Sequence, residues 1–319
     1  MRKMNDLIPA VIIRTLSLFA VVSIIFIFYF VFAKAMPVIL ENGIGLLTKT
    51  GFDNQVRTAF SSHDEAVLEY GILGLIMGTL YSTLIALVIA SILSIGAAIA
   101  ICELAPKGLA TVLTAFVRLL ASVPSVIFGL VGIMTIVPFI DKLFITVDIQ
   151  IKYLDYFQIS GRNLLSSIIV LSFMIVPTII SLCVNAINTV PNDRKEVGFS
   201  FGMSHFRVIW KIILPSARSG IIAGIILGAG RGIGEAIAVS MVCGGVGNIP
   251  NLAHGFASLL TPILPLSAAI INKSEAMGVA SVESALFACG ATLLLFGAVL
   301  SVSAKLVEKH LRRAAGYDD

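Results

Sequence analysis

Residues 72–102 run the full depth of a bilayer without a charged side chain, and residues 163–190 do the same. Hydrocarbon offers no water to pair with backbone N–H and C=O groups, so each run must close its own hydrogen bonds as a helix of about 20 residues. Six stretches meet that demand: 11–33, 72–102, 111–140, 163–190, 219–243 and 283–305. The expected fold class is all-α, a polytopic membrane protein of six transmembrane helices. Composition agrees, since 58% of the 319 residues are apolar and 13% are charged, against about 25% charged in soluble domains. This excludes a water-soluble domain and intrinsic disorder, and leaves little polar chain for a catalytic domain outside the bilayer. A net charge of +4 is too small and too dispersed to mark a nucleic-acid partner. Cys102, Cys183, Cys243 and Cys289 lie in or beside apolar segments with no CxxC pair, which predicts small buried residues rather than disulfides or zinc ligands. His63, His205, His254 and His310 are scattered over loops, so no metal site is expected.

Basic residues set the orientation. With both termini in the cytoplasm, the inner segments hold Arg2, Lys3, Lys107, Arg194, Lys195, Arg207, Lys211, Arg218, Lys305, Lys309, Arg312 and Arg313. The outer ones hold Lys34, Lys49, Arg57, Lys142, Lys152, Arg162 and Lys273, spread over much longer loops. Density therefore places both termini inside. The organisation expected is an N-terminal helix in 1–33, retained because its apolar run is too long for a secretory signal, and an extracytoplasmic loop in 34–71. A five-helix core fills 72–305, with an inner loop at 191–218, and a cytoplasmic tail covers 306–319. The outer loop carries Asp53, Asp64, Glu65 and Glu69. Residues 244–282 are more apolar, but Pro250, Pro262 and Pro265 interrupt any helix there. They read as a folded outer loop that partly enters the protein, in preference to a seventh span.

The inner loop reads PNDRKEVGFSFGMSHFRVIWKIILPSAR. Pro191 stops the preceding helix, and Asp193 with Glu196 has the form of a capping box that opens a new one. Gly202 breaks that short helix, Ser204 caps the next, and Phe206, Ile209, Trp210 and Ile213 line an amphipathic turn that ends at Pro215. A loop that only anchors to anionic lipid accounts for the basic residues but not for the capped break. The chain contains no Gly-Lys-Ser or Gly-Lys-Thr, hence no phosphate-cradling nucleotide loop.

This loop resembles that of ABC importer permeases, whose form is EAA, three residues, Gly, nine residues, Ile-x-Leu-Pro. Glu196, Gly202, Ile212, Leu214 and Pro215 match at that spacing, while Val197 and Gly198 stand where the family usually has two alanines. The resemblance implies a type I, MetI-like architecture. It also implies a coupling helix seated in a groove of a cytoplasmic ATPase, the contact being Glu196, Val197, Gly198, Phe199, Ser200, Phe201, Gly202 and Met203.

The fifth span reads SARSGIIAGIILGAGRGIGEAIAVSMVCGG. Gly220, Gly224, Gly228 and Gly232 recur every four residues and form a stripe without side chains, suited to close helix packing. Arg231 and Glu235, one helical turn apart, each cost about 3 kcal/mol or more if they face lipid, so both must face protein or a water-filled path. They are either a structural ion pair or an element of the substrate route, and intramembrane ionisable groups favour the route. The planar guanidinium of Arg231 suits an oxyanion, with Glu235 balancing it when the path is empty. Arg118, followed by Ser122 and Ser125 around Pro124, is either a second anion contact or a snorkelling interfacial arginine.

Three stretches resemble phosphate ABC permeases of the PstC type: GAGRGIGEAIAV at 228–239, YGILGLIMGTLYSTLIA at 70–86 and LASVPSVIFGLVG at 120–132. The companion PstA type shares the coupling loop and an Arg-Glu pair. The resemblance implies phosphate permeation past Arg231 and Glu235 in a bacterial cell membrane. The implied partners are a second, PstA-like permease, two cytoplasmic ABC ATPases and an extracytoplasmic phosphate-binding protein, with lipid around them. This chain would bind no cofactor of its own, and ATP would be used by the partner ATPase. The alternatives are another oxyanion or small nutrient, or a secondary transporter driven by an ion gradient through Glu235. An intramembrane enzyme is disfavoured, because no span holds a histidine or paired aspartates.

Overall fold

The computed structural model describes residues 2–62, 69–152 and 159–314. In chain order its helices are α1 (Arg2–Asn42), α2 (Gly45–Thr48), α3 (Phe52–Ser62), α4 (Leu73–Ile99), α5 (Lys107–Ala121), α6 (Ser125–Val131), α7 (Val137–Phe144) and α8 (Val147–Lys152). These are followed by α9 (Leu164–Asn188), α10 (Asn192–Ser200), α11 (His205–Val208), α12 (Leu214–Ile233), α13 (Ile237–Val242), α14 (Leu266–Asn272) and α15 (Ala280–Ala314). Among the described residues, six helical runs are long and apolar enough to cross a membrane: Val11–Asn42, Leu73–Leu104, Ser125–Phe144, Leu164–Asn188, His205–Ile233 and Ala280–Val307.

Helix α9 is the axis of the bundle. Its most apolar window is 67% buried within the chain, against 0% for that of α1, and α4, α5, α12 and α13 all pack on it. The glycine stripe explains the tightest of these contacts. A Cβ on Gly220 would stand 2.5 Å from the Ala186 side chain, and one on Gly224 3.1 Å from Leu182. The same holds for Gly228, 2.8 Å from Ile179, and for Gly232, 2.9 Å from Ile175. Successive glycines thus receive successive turns of α9. In lipid, where burying apolar surface yields little, this backbone approach and its dispersion contacts hold helices together.

Three π-helical turns, Ala100–Leu104, Gly132–Ile136 and Ile209–Ile213, each end two residues before a proline: Pro106, Pro138 and Pro215. In each, the residue just before the proline bonds to the carbonyl five back, as in Leu214 N–H to the Ile209 oxygen. The wider turn shifts the carbonyl that the pyrrolidine ring would strike and absorbs the missing N–H. Pro215 therefore does not end a helix as its sequence context predicts, and α11 and α12 form one rod.

Other boundaries also differ from the sequence reading. Helix α1 continues to Asn42, so 34–42 is not loop. Ala35 and Val38 are buried there, the Val38 N–H reaches Ser284 Oγ at 3.3 Å, and Lys34 pairs with Glu283 at 3.0 Å. The span expected at 111–140 is two helices, because Pro124 cannot continue α5; Ser122 closes that helix on the Arg118 and Leu119 carbonyls. The span expected at 219–243 breaks after Ile233. Residues 306–314 continue α15 instead of leaving it as a tail. Asp64, Glu65 and His63 of the outer loop, and residues 315–319, lie outside the described residues.

Residues 244–282 form a folded insert. A bridge joins Gly244 to Ile263, residues 260–269 are buried, and the Leu266 N–H donates to Thr79 Oγ1 at 2.9 Å. Asp53, in the first turn of α3, ties the insert to the earlier outer segment. Its carboxylate pairs with Lys273 at 2.8 Å and accepts the Gly247 N–H.

Gly228→Val drives a branched side chain into Ile179 and Ile175 and is expected to lower stability by about 1–3 kcal/mol. Gly230→Ala, whose Cβ meets Leu300 at an ordinary 3.6 Å, is expected to be silent. Thermal unfolding of the two variants in the same detergent separates them; equal midpoints would remove the stripe's packing role.

Candidate functional site

Arg231 lies in the last turn of α12, where the carbonyl end of the helix favours a cation. Its Nη1 donates to Thr178 Oγ1 of α9 at 2.7 Å. The helix then stops: the Gly234 N–H reaches the Gly230 carbonyl and the Glu235 N–H the Gly232 carbonyl, both at 3.3 Å. Past this break, Glu235 Oε1 accepts the Ala238 N–H at 3.0 Å, so its carboxylate sits against the first turn of α13. The Glu235 backbone carbonyl accepts Ser267 Oγ at 2.7 Å, which joins the break to α14.

The expected neighbour relation is thus overturned. Arg231 and Glu235 are not side by side on one helical face and lie outside ion-pair distance, because the helix ends between them. Each half-buried charge is instead compensated by a helix end, the arginine at a C-terminus and the glutamate at an N-terminus. Broken helices at membrane depth are tolerated where protein or a water-filled cavity covers the freed backbone. Beside Arg231 a cavity of about 430 Å³ opens between α12 and α15, lined mostly by apolar side chains, among them Ile222, Ile226, Leu227 and Leu300, with Ser219 and Ser301. Among the described residues, Thr178 takes one of the five guanidinium N–H donors.

Arg118 is not brought to this place. It is exposed on α5 and lines a different cavity, of about 390 Å³, together with Cys102, Thr111, Thr114 and Asn188. Ser122 turns its hydroxyl back onto the Leu119 carbonyl at 2.7 Å, and Ser125 starts α6 beyond Pro124. Nothing joins these three residues to Arg231.

The 191–218 loop holds the second site. Helix α10 starts directly after Pro191 and carries no side-chain cap, so the Asp193–Glu196 box does not form; both acids sit inside the helix, Asp193 in its first turn. Ser204 occupies the position before α11 without a side-chain bond. The turn between them is set by the backbone. Gly202 has φ +72°, its N–H bonds the Phe199 carbonyl at 2.9 Å, and the Met203 N–H bonds the Gly198 carbonyl at 3.2 Å. That pair of bonds is a Schellman motif, which requires the left-handed conformation that glycine adopts without strain.

Of the eight residues expected to meet an ATPase, Glu196, Val197, Phe199, Ser200, Phe201 and Gly202 are exposed and Met203 is half-buried. Gly198 is buried, and a Cβ there would stand 2.5 Å from Ile212. It is a packing residue of the turn and not a contact. Phe201 at 79%, Phe206 at 72% and Trp210 at 56% exposure give the knob a large unpartnered apolar face. Two residues went unnoticed in the sequence. Thr178 is marked only as a hydroxyl next to Pro177, and Glu103 only as a lone acid at the end of the second span. Glu103 receives Lys195 Nζ at 2.7 Å and stands 3.5 Å from His205 Nε2.

The family model described as binding-protein-dependent transport system inner membrane component matches residues 95–313. The phosphate transport system permease protein PstC of Pasteurella multocida is 34% identical over 252 residues, which cover 75% of each chain. The PstC 1 protein of Mycobacterium tuberculosis is 33% identical over 299 residues, covering 88% of this chain and 86% of its own. The probable ABC transporter permease protein YqgH of Bacillus subtilis is 30% identical over 266 residues, covering 83% and 80%.

Thr178→Val removes the acceptor that holds the Arg231 fork and is expected to cost about 1–3 kcal/mol, as for other hydrogen bonds to charged groups, while Thr178→Ser costs little. Parallel thermal unfolding in detergent checks this. A valine variant as stable as the serine one would show that the hydroxyl does not hold the arginine.

Proposed function

Because this chain belongs to the binding-protein-dependent transport system inner membrane components, a family of multi-pass membrane proteins, we propose that it is the permease subunit of an ATP-driven importer of inorganic phosphate. The observation that carries the reading is the exposed, Schellman-turned knob at 191–204, continuous with the helical rod that bears Arg231. From His205 to Arg231 that rod is about 40 Å long at 1.5 Å per residue. A displacement imposed on the start of the rod therefore reaches the half-buried Arg231 along one continuous helix.

In this reading both termini are cytoplasmic, in keeping with the density of Lys and Arg on that side. Two ABC ATPases grip this knob and its counterpart on a second, PstA-like permease, and an extracytoplasmic binding protein delivers the anion. The names of the PstC relatives support phosphate as the cargo, as does the charge-permanent guanidinium of Arg231. ATP binding draws the ATPases together, the knobs follow, and the break at 234–236 lets the half beyond it realign as access alternates. Glu235 stays with α13 through the Ala238 N–H, so Arg231 meets the incoming anion with its charge uncancelled by a contacting carboxylate.

Two substitutions test the reading in the reconstituted complex. Gly202→Val, strained at φ +72°, and Glu196→Lys are expected to abolish co-purification of the ATPase while the permease still inserts; normal recovery of the ATPase in both would sever the knob from its motor. Arg231→Gln is expected to leave assembly intact and reduce phosphate uptake at least about a hundredfold, in line with loss of a bidentate charged contact. Sulfate serves as the control anion, and wild-type phosphate uptake by the variant would relegate Arg231 to packing.

A further inference from the structure

Glu103 has no part in the site so far described, yet it is among the best-shielded charges of the structure, with its side chain 8% exposed. It lies in the π turn that ends the second span, and its two carboxylate oxygens face different parts of the knob. Oε1 accepts Lys195 Nζ of α10 at 2.7 Å, and Oε2 stands 3.5 Å from His205 Nε2, which opens α11. One carboxylate therefore lies across the Gly202 turn, bonded to Lys195 of α10 and beside His205 at the start of α11. The π turn makes this reach available, since one inserted residue rotates the side chains beyond it by about 100°. Nearby, Cys102 Sγ approaches the Val184 carbonyl of α9 at 3.9 Å, which seats the same end of the second span on the bundle axis.

The covalent chain attaches the knob to α9 and α12 alone. We propose that Glu103 is a positioning residue that adds a third attachment, locking the knob to the end of the second span so that motor-driven displacement moves that span together with α12. The inference rests on the permease reading given above, but concerns which helices the knob drives. A surface ion pair would transmit little, because water and long side chains let it slip. This one is held out of water on the carboxylate side, where an unpaired charge is costly, so the pair resists separation.

Hydrogen–deuterium exchange of the whole complex, with and without ATP and vanadate, tests the brace directly. In the wild type, protection at 192–203 and at 99–104 is expected to change together. In Glu103→Gln, which keeps size and packing, the change at 192–203 is expected to persist while that at 99–104 is lost. The charge swap Glu103→Lys with Lys195→Glu is expected to restore it. Phosphate moved per ATP hydrolysed is expected to fall about tenfold in Glu103→Gln, within the usual range of coupling between sites, whereas loss of folding would reduce hydrolysis and uptake alike. Joint exchange changes surviving in Glu103→Gln, or a swap that restores nothing, would overturn the brace. Because the exchange arm does not depend on cargo, a wild-type complex that ignores phosphate would count against the functional reading and leave the brace to be decided on its own.

Discussion

The backbone-to-side-chain contact between α12 and α9 is the constraint on which the rest depends. Four glycines at a spacing of four let the rod lie against Ala186, Leu182, Ile179 and Ile175 at distances that would crowd an added Cβ. This closeness brings the Arg231 guanidinium within 2.7 Å of Thr178, and an arginine at this depth is tolerable only with such a partner. A looser pair of helices would leave the cation unpaired and the freed backbone at 234–236 uncovered. Packing and site are therefore one arrangement: the stripe supplies no chemistry but decides where chemistry can stand.

A second consequence concerns stiffness. The loop that projects from the bundle is built on a glycine turn with two backbone hydrogen bonds, and it runs into α12 through a π turn that absorbs Pro215. The first device makes the knob compact, and the second keeps the rod unbroken. The helix stops instead at Gly234–Ala236, where Glu235 accepts the Ala238 N–H of the next segment. The break separates this rod from α13 just beyond the half-buried Arg231. It also explains why Arg231 and Glu235 do not neutralise each other. Each has a helix end for a partner, the arginine at the C-terminus of α12 and the glutamate at the first turn of α13.

Much of this was legible in the residues, and particular cases show where legibility stopped. The six apolar runs were readable because hydrocarbon permits few backbone solutions. The break at Gly202 was readable because a left-handed turn favours glycine, and the Glu196–Gly202–Pro215 spacing through its resemblance to the loop of ABC importer permeases. Other break points were not. Pro215 and Pro124 look alike in sequence, yet one is absorbed by a π turn and the other ends a helix, and the neighbours that make the difference lie in other segments. The Asp193–Glu196 box failed for a local reason: α10 already begins at Asn192, one residue before the expected cap, leaving both acids inside the helix. Thr178 and Glu103 carried no local signal, since a threonine in a span and an acid at its edge are ordinary until their partners are known.

The sequence by itself therefore determined the solvent of this protein, the number of its crossings and the loop that projects from them, because each follows from local composition and spacing against a bilayer. Tertiary structure alone decided which charges meet. Arg231 found Thr178 and not Glu235, and Lys195 found Glu103, ninety-two residues away. Contact between charges depends on where helices end and how closely they approach, and both are settled by packing among segments far apart in the chain.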